Sequence, residues 1–251
     1  MLNVEPQGPV LYVTLNRPEV RNAFNEELIA AVDHVFETMD PQTRIVVLGG
    51  EGKAFCAGGD LEWMQRASTF TEEENIEDAT RLAHLYRAVM ECPAVVIANV
   101  HGAAFGGGLG LVAAADFCIA DPNTVFAFSE IKLGLVPATI SSVVIPKIGH
   151  GNARAYFATG MQFNAHTAQR MGLVHEVSTE SHLVLEHLQR EILRGGPKAI
   201  ALAKRIAQAP VMDPDEAGHL LAEVRASDEA KEGISAFLEK RSAEFVVGQV
   251  W

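Results

Sequence analysis

Cysteine is scarce in this chain. Cys56, Cys92 and Cys118 are three of 251 residues, an odd number without the paired spacing of a zinc site or a redox motif, so reduced thiols are expected. Basic residues are in deficit too. With 20 Lys and Arg against 32 Asp and Glu, the formal net charge is −12, which repels phosphate backbones and anionic lipid and argues against nucleic-acid or membrane partners. Long apolar runs are missing. The most apolar region, Ala94 to Ala120, is broken by Asn99, His101, Asp116 and five glycines, which excludes a bilayer span. The amino-terminal MLNVEPQGPV has no basic start followed by an apolar stretch, so no export signal is expected and the protein is expected to be cytoplasmic.

What the chain does have is apolar content of 48%, enough for one sizeable core. Val10 to Asn16 alternates like a strand and ends at Arg17-Pro18. Asn25 is placed to cap a helix whose apolar positions are Leu28, Val32, Val35, Phe36 and Met39. Arg44 to Leu48 reads as a buried strand closed by Gly49 and Gly50. Thr71 and Glu74 form a capping box for a second helix with Leu82, Leu85, Tyr86 and Val89 on its apolar stripe, and Pro93 stops it.

Ala94 to Val100 is the next strand, followed by a glycine run and a small-residue helix. Short strands at Phe117 to Ala120 and Val125 to Phe128 precede a helix starting near Ala138. Beyond about Asn152 helices dominate, apart from Leu173 to Val177, with boundaries at Pro197 and Pro214. The expectation is an α/β core of β-β-α rhythm over residues 1–190 and a helical region over 191–251.

Two segments place glycine where a strand hands over to a helix: FCAGGDL at Phe55 to Leu61, and HGAAFGGGLGL at His101 to Leu111. Glycine there brings backbone close to a ligand and frees N–H groups. Nucleotide loops do not fit. Gly110 is followed by Leu-Val-Ala rather than Lys-Ser/Thr, and the sixth position from Gly106 is Leu111 rather than glycine. Taken alone, each run is explained by tight packing of helix on strand. The histidines show no paired metal-ligand spacing, His101 is expected to be structural, and Ser141 and Ser142 lack a nucleophile elbow.

These two segments, with FSEIKLGLVP at Phe128 to Pro137 and FLEKR at Phe237 to Arg241, follow one another in an order that resembles the enoyl-CoA hydratase (crotonase) family over nearly the whole chain. The resemblance implies a crotonase-type spiral of β-β-α units, an acyl-CoA thioester substrate, and a trimer or dimer of trimers built on the helical tail. Coenzyme A then belongs to the substrate, and no separate cofactor or metal is expected. The resemblance makes the N–H groups of Gly59 and Gly107 an oxyanion hole for the thioester carbonyl, and Glu130 the proton-transfer group. It places Arg21, Ala23, Ala57, Asp60 and Leu61 along the coenzyme A channel. Phe237 and Lys240 would reach the nucleotide, and Gly58, Phe105, Gly106, Gly110 and Pro137 would border the ligand.

One departure matters. Hydratases of the family commonly carry a second glutamate where this chain has Gly110. A Δ3,Δ2-enoyl-CoA isomerase needs only one proton shuttle, and a dehalogenase needs an aspartate where this chain has Ala138. The segments GGGLGLVAAAD, SEIKLGLVPATIS and EGISAFLEKR look most similar to bacterial methylglutaconyl-CoA hydratases, with an isohexenylglutaconyl-CoA hydratase as competitor. Hydration of 3-methylglutaconyl-CoA is therefore the expected activity, with isomerisation or silent acyl-CoA binding as alternatives.

Overall fold

A computed structural model describes residues 1–247. Strands β1 (Leu2–Gln7) and β2 (Val10–Leu15) form an antiparallel hairpin at the edge of a six-stranded sheet. Strands β3 (Ile45–Gly50), β4 (Val95–Val100), β6 (Phe117–Ala120) and β9 (Glu176–Val177) then add in parallel, in the order β1-β2-β3-β4-β6-β9. Parallel strands need both faces covered. One face of β2 sends Leu11, Val13 and Leu15 into the main core, and the other sends Val10 towards Ile45, Val47, Ile97 and Ile119.

A second, three-stranded sheet contains β5 (Ala103–Phe105), β7 (Val125–Ala127) and β8 (Phe163–Asn164). Two isolated parallel bridges, Cys56 to Ala104 and Phe24 to Gly59, carry its pairing outward to the loops after β3 and β2. Each repeat thus gives a long strand to the first sheet, a short extended segment to the second, and then a helix. The helices that follow are α1 (Glu26–Thr38), α2 (Leu61–Ala67) with α3 (Glu72–Glu91), α4 (Gly107–Ala114) and α5 (Ala138–Thr159). This is the predicted β-β-α rhythm.

The caps are as expected. The Asn25 side chain accepts from the Leu28 N–H at 2.9 Å, and both halves of the Thr71–Glu74 capping box are formed. Gly49 and Gly50 lie inside β3 rather than after it. A Cβ on Gly50 would stand 2.6 Å from the Phe55 carbonyl oxygen and 2.9 Å from Asn22 Nδ2, so the strand runs beneath a loop that only glycine lets approach.

Helices α6 (Ala165–Arg170), α7 (Ser181–Arg194), α8 (Pro197–Gln208), α9 (Pro214–Ala226) and α10 (Asp228–Glu239) complete the chain. Residue 190, expected to divide core from tail, falls inside α7, whose Leu185, Leu188 and Ile192 pack on the second face of the large sheet. The apolar end expected from Val246 to Trp251 lies outside the described residues beyond Val247. Among the described residues no helix is long and apolar enough to cross a membrane.

Candidate active site

Three successive repeats place their loop ends side by side. In the second, the bridge to Phe24 uses the Gly58 carbonyl, which accepts from the Phe24 N–H at 2.7 Å, and the Asp60 N–H, which donates to the Phe24 carbonyl at 2.8 Å. Parallel pairing of this kind turns the N–H of the residue between them away from the partner, so the Gly59 N–H points out of the ladder. In the third, Gly107 is the first residue of α4, and its N–H is one of those a helix start leaves without an internal acceptor. Among the described residues neither amide donates a backbone hydrogen bond. Gly106 before it has φ 48° and ψ −120°, a conformation that demands glycine.

In the fourth repeat the chain leaves β7 for a single 3-10 turn, Glu130–Leu133, closed by Gly134 at φ 74°. Glu130 is on that turn rather than at a strand end. A methyl placed on Gly106 would stand 3.6 Å from Glu130 Oε1 and 3.8 Å from the Gly58 Cα, so all three loops meet. Gly58, Gly59, Gly106, Gly107 and Glu130 line one cavity of about 520 Å³. Glu130 Oε2 is buried there with no hydrogen-bond partner among the described residues. Burial pushes the carboxyl above its ordinary range, opposed only by a backbone hydrogen bond within its own residue.

Gly110 has a different surrounding from the one expected. It is buried on α4 and does not line the cavity, because a Cβ there would lie 2.4 Å from Cε1 and Cζ of Tyr86 and 2.8 Å from Ile140 Cγ2. The ring of Tyr86 fills the space that a side chain at 110 would need. Tyr86 is fully buried, and its hydroxyl donates to the Gly107 carbonyl at 2.9 Å. Burial foremost, and then the neighbouring Cys56 and Glu130, push the phenol well above its ordinary range, so it stays a proton donor.

Asp60 was expected along the ligand channel and is instead absorbed by the fold. Its carboxylate caps α2 through the Glu62 and Trp63 N–H groups and binds the Arg17 guanidinium at 2.8 Å. Burial alone would raise its pKa, but the Arg17 hydrogen bond and the two amides outweigh that and hold the carboxyl below its usual range. Arg17 also donates to the Ala23 carbonyl at 2.7 Å. Fully buried Asn22 donates to the Glu51 and Ala54 carbonyls at 2.9 and 2.8 Å, which fixes the loop beneath FCAGGDL.

Of the other expected ligand residues, Ala57 and Leu61 line the cavity with the glycines. Arg21, Ala23, Phe105 and Pro137 do not. Phe105 still holds the site together, because its N–H donates to the Cys56 carbonyl at 2.9 Å. On α10 Phe237 is 82% exposed, and Lys240, its C-cap, is exposed as well; neither reaches the cavity. Sequence reasoning gave no ligand-site role to Phe24, Asp78 or Leu82, which line the cavity, or to Tyr86 behind it. Trp63 lines the cavity as well. The signals were an aromatic and a leucine at helical spacing, which core packing explains equally well.

The chain matches the family described as enoyl-CoA hydratase/isomerase over residues 5–247. It is 34% identical over 257 residues to a crotonyl-CoA hydratase of Syntrophomonas wolfei, covering 98% of this chain and 97% of that one. A solved enoyl-CoA hydratase of Shewanella pealeana superposes with a TM-score of 0.93 at 34% identity, covering 97% of this chain and 95% of that one. One from Mycobacterium smegmatis gives 0.90 at 33% identity, covering 98% and 99%.

Proposed function

The chain belongs to the enoyl-CoA hydratase/isomerase family, and from that premise we propose that it is a hydro-lyase adding water across the double bond of a 2-enoyl-CoA thioester. The observation that carries the reading is the cavity itself: two main-chain N–H groups and one half-buried carboxyl at its wall, all without partners among the described residues. Attack of water on C3 moves negative charge to the thioester oxygen. Fixed donors at Gly59 and Gly107 stabilise that charge without reorganising, an effect worth about 2.7–4 kcal/mol per donor in another enzyme's oxyanion hole. Glu130 takes a proton from the water as hydroxide bonds to C3, then returns it to C2, so one carboxylate serves both halves of the addition. Its raised pKa suits that exchange near neutral pH.

Tyr86 in the space beside Gly110 also favours a second reading. A site with one shuttle can move a proton from C2 to C4 and shift a 3-enoyl double bond into conjugation. Mass spectrometry on a panel of 2-enoyl- and 3-enoyl-CoAs separates the two. Gain of water supports hydration, unchanged mass with a moved double bond supports isomerisation, and no turnover leaves an acyl-CoA binder.

The choice of 3-methylglutaconyl-CoA finds little support at the cavity wall. Its distal carboxylate would meet Asp78 and Glu130, and no Lys, Arg or His lines the cavity among the described residues. We therefore favour an acyl group without distal charge. Arg21 and Lys240, both exposed, remain proposed partners of the coenzyme A phosphates. Ile234, Phe237 and Leu238, exposed along α10, are the proposed contacts of a homotrimer or hexamer.

A further inference from the structure

The proposed chemistry leaves Trp63 and Asp78 unused, and both lie on the cavity wall. Trp63 on α2 is 8% exposed and lines the cavity, and its indole Nε1 makes no well-aligned hydrogen bond among the described residues, its nearby acceptor being Asp78. A buried N–H without an acceptor costs free energy and is rare in folded proteins unless a ligand or water completes it. Beside it, on α3, Asp78 lines the same cavity, half-buried. Burial raises the Asp78 carboxyl first of all, and the nearby indole N–H pulls the other way. Around the pair the wall is mostly apolar, with Met64, Ala67, Ala79 and Leu82, and Asn75 at its edge.

A donor beside an acceptor in an apolar wall selects for chemistry. A hydroxyl satisfies both, because its oxygen accepts from the indole N–H while its proton goes to the carboxylate. An alkyl end leaves the indole N–H and the carboxylate with only their poorly aligned contact with each other. A carboxylate on the substrate meets a like charge at Asp78, and an ammonium group has nothing to offer the indole N–H.

We infer that Trp63 and Asp78 form a specificity site for an uncharged acyl group carrying a hydroxyl, positioned on the side of the cavity formed by α2 and α3. The inference rests on the reading of the protein as an enoyl-CoA enzyme and adds the class of acyl group it prefers. The two helices that carry the pair are joined by a short turn, so a single local segment sets the preference.

The test is a set of matched 2-enoyl-CoA pairs of increasing chain length, with and without a terminal hydroxyl, assayed for kcat/KM. At the length that reaches the pair, the hydroxylated member should be favoured by about tenfold or more, because a site built to hydrogen-bond a hydroxyl discriminates against analogues that lack it. In Trp63→Phe and in Asp78→Leu the ratio should fall towards unity, whatever each variant's absolute rate. Equal kcat/KM for both members at every length in the wild type overturns the inference and leaves the hydratase reading standing. A preference that survives in both variants overturns it as well. Absence of turnover with every pair overturns the hydratase reading and this inference together.

Discussion

The hydroxyl of Tyr86 donates to the carbonyl of Gly107, tying the middle of α3 to the first residue of α4. The same ring stands against Gly110, where it excludes any larger side chain. One tyrosine therefore steadies the turn that presents a proposed oxyanion donor and closes off the position of a second carboxylate.

Tyr86→Phe keeps the ring and deletes that bond. Stability should drop by about 0.5–1.5 kcal/mol, read from urea unfolding. In steady-state assays kcat should fall by about tenfold with KM little changed, a part of the ~10²–10³ loss that removing a whole oxyanion donor causes. An unchanged kcat would separate Tyr86 from the donor geometry.

Gly110→Glu is expected to misfold rather than gain a base, since its Cβ alone collides with Tyr86 and Ile140. Adding Tyr86→Ala should recover part of the lost stability, giving a strong favourable coupling in the double-mutant cycle. Additive losses in thermal unfolding would show that the ring is not the obstacle.

Glu130→Gln should lower kcat by ~10²–10⁴, the usual worth of a general acid–base group. The pH dependence has a definite sign. Hydration needs the ionised carboxyl, so kcat should rise with pH through a pKa above the ordinary glutamate range. Stability runs the other way. The folded state binds this proton more tightly than the unfolded chain, so stability is lost as pH rises from the unfolded pKa through the folded one. Melting curves should thus show Glu130→Gln raising Tm at neutral pH and not at acidic pH.

Asp60 behaves oppositely. Its depressed pKa contributes stability that is present above the unfolded value and disappears as pH falls through the folded one. Asp60→Ala removes the α2 cap and strands Arg17, whose side chain is 15% exposed. The expected loss is about 3 kcal/mol or more. Calorimetry across the acid range should show a flattened acid limb in this variant.

Much of this was legible in the residues, and the misses have physical reasons. Asn25 and the Thr71–Glu74 pair announce their helices because capping is a local bond. Strand β1 went unseen because its last four residues are exposed and Pro6 interrupts its pattern, so only pairing with β2 makes it a strand. Helix α2 has seven residues, too few for a periodic signal, and its capping aspartate was read as a ligand contact. Gly59, Gly107 and Glu130 came from a family resemblance rather than from spacing. The partner of Tyr86 lies 21 residues along the chain, and Trp63 meets Asp78 only because α2 and α3 pack around one cavity.

The loops of Gly59 and Gly107 extend from neighbouring members of one ladder, joined through Cys56 and Ala104. Adjacent strands stand about 4.7–4.9 Å apart, and this pitch is dictated by peptide geometry rather than by any replaceable side chain. The polarising end of the cleft is therefore insulated from changes at Trp63 and Asp78, while Tyr86 on the same α3 still bears on Gly107. Descendants of this chain could exchange one acyl group for another by altering Trp63 and Asp78, with the electrophilic cradle inherited intact.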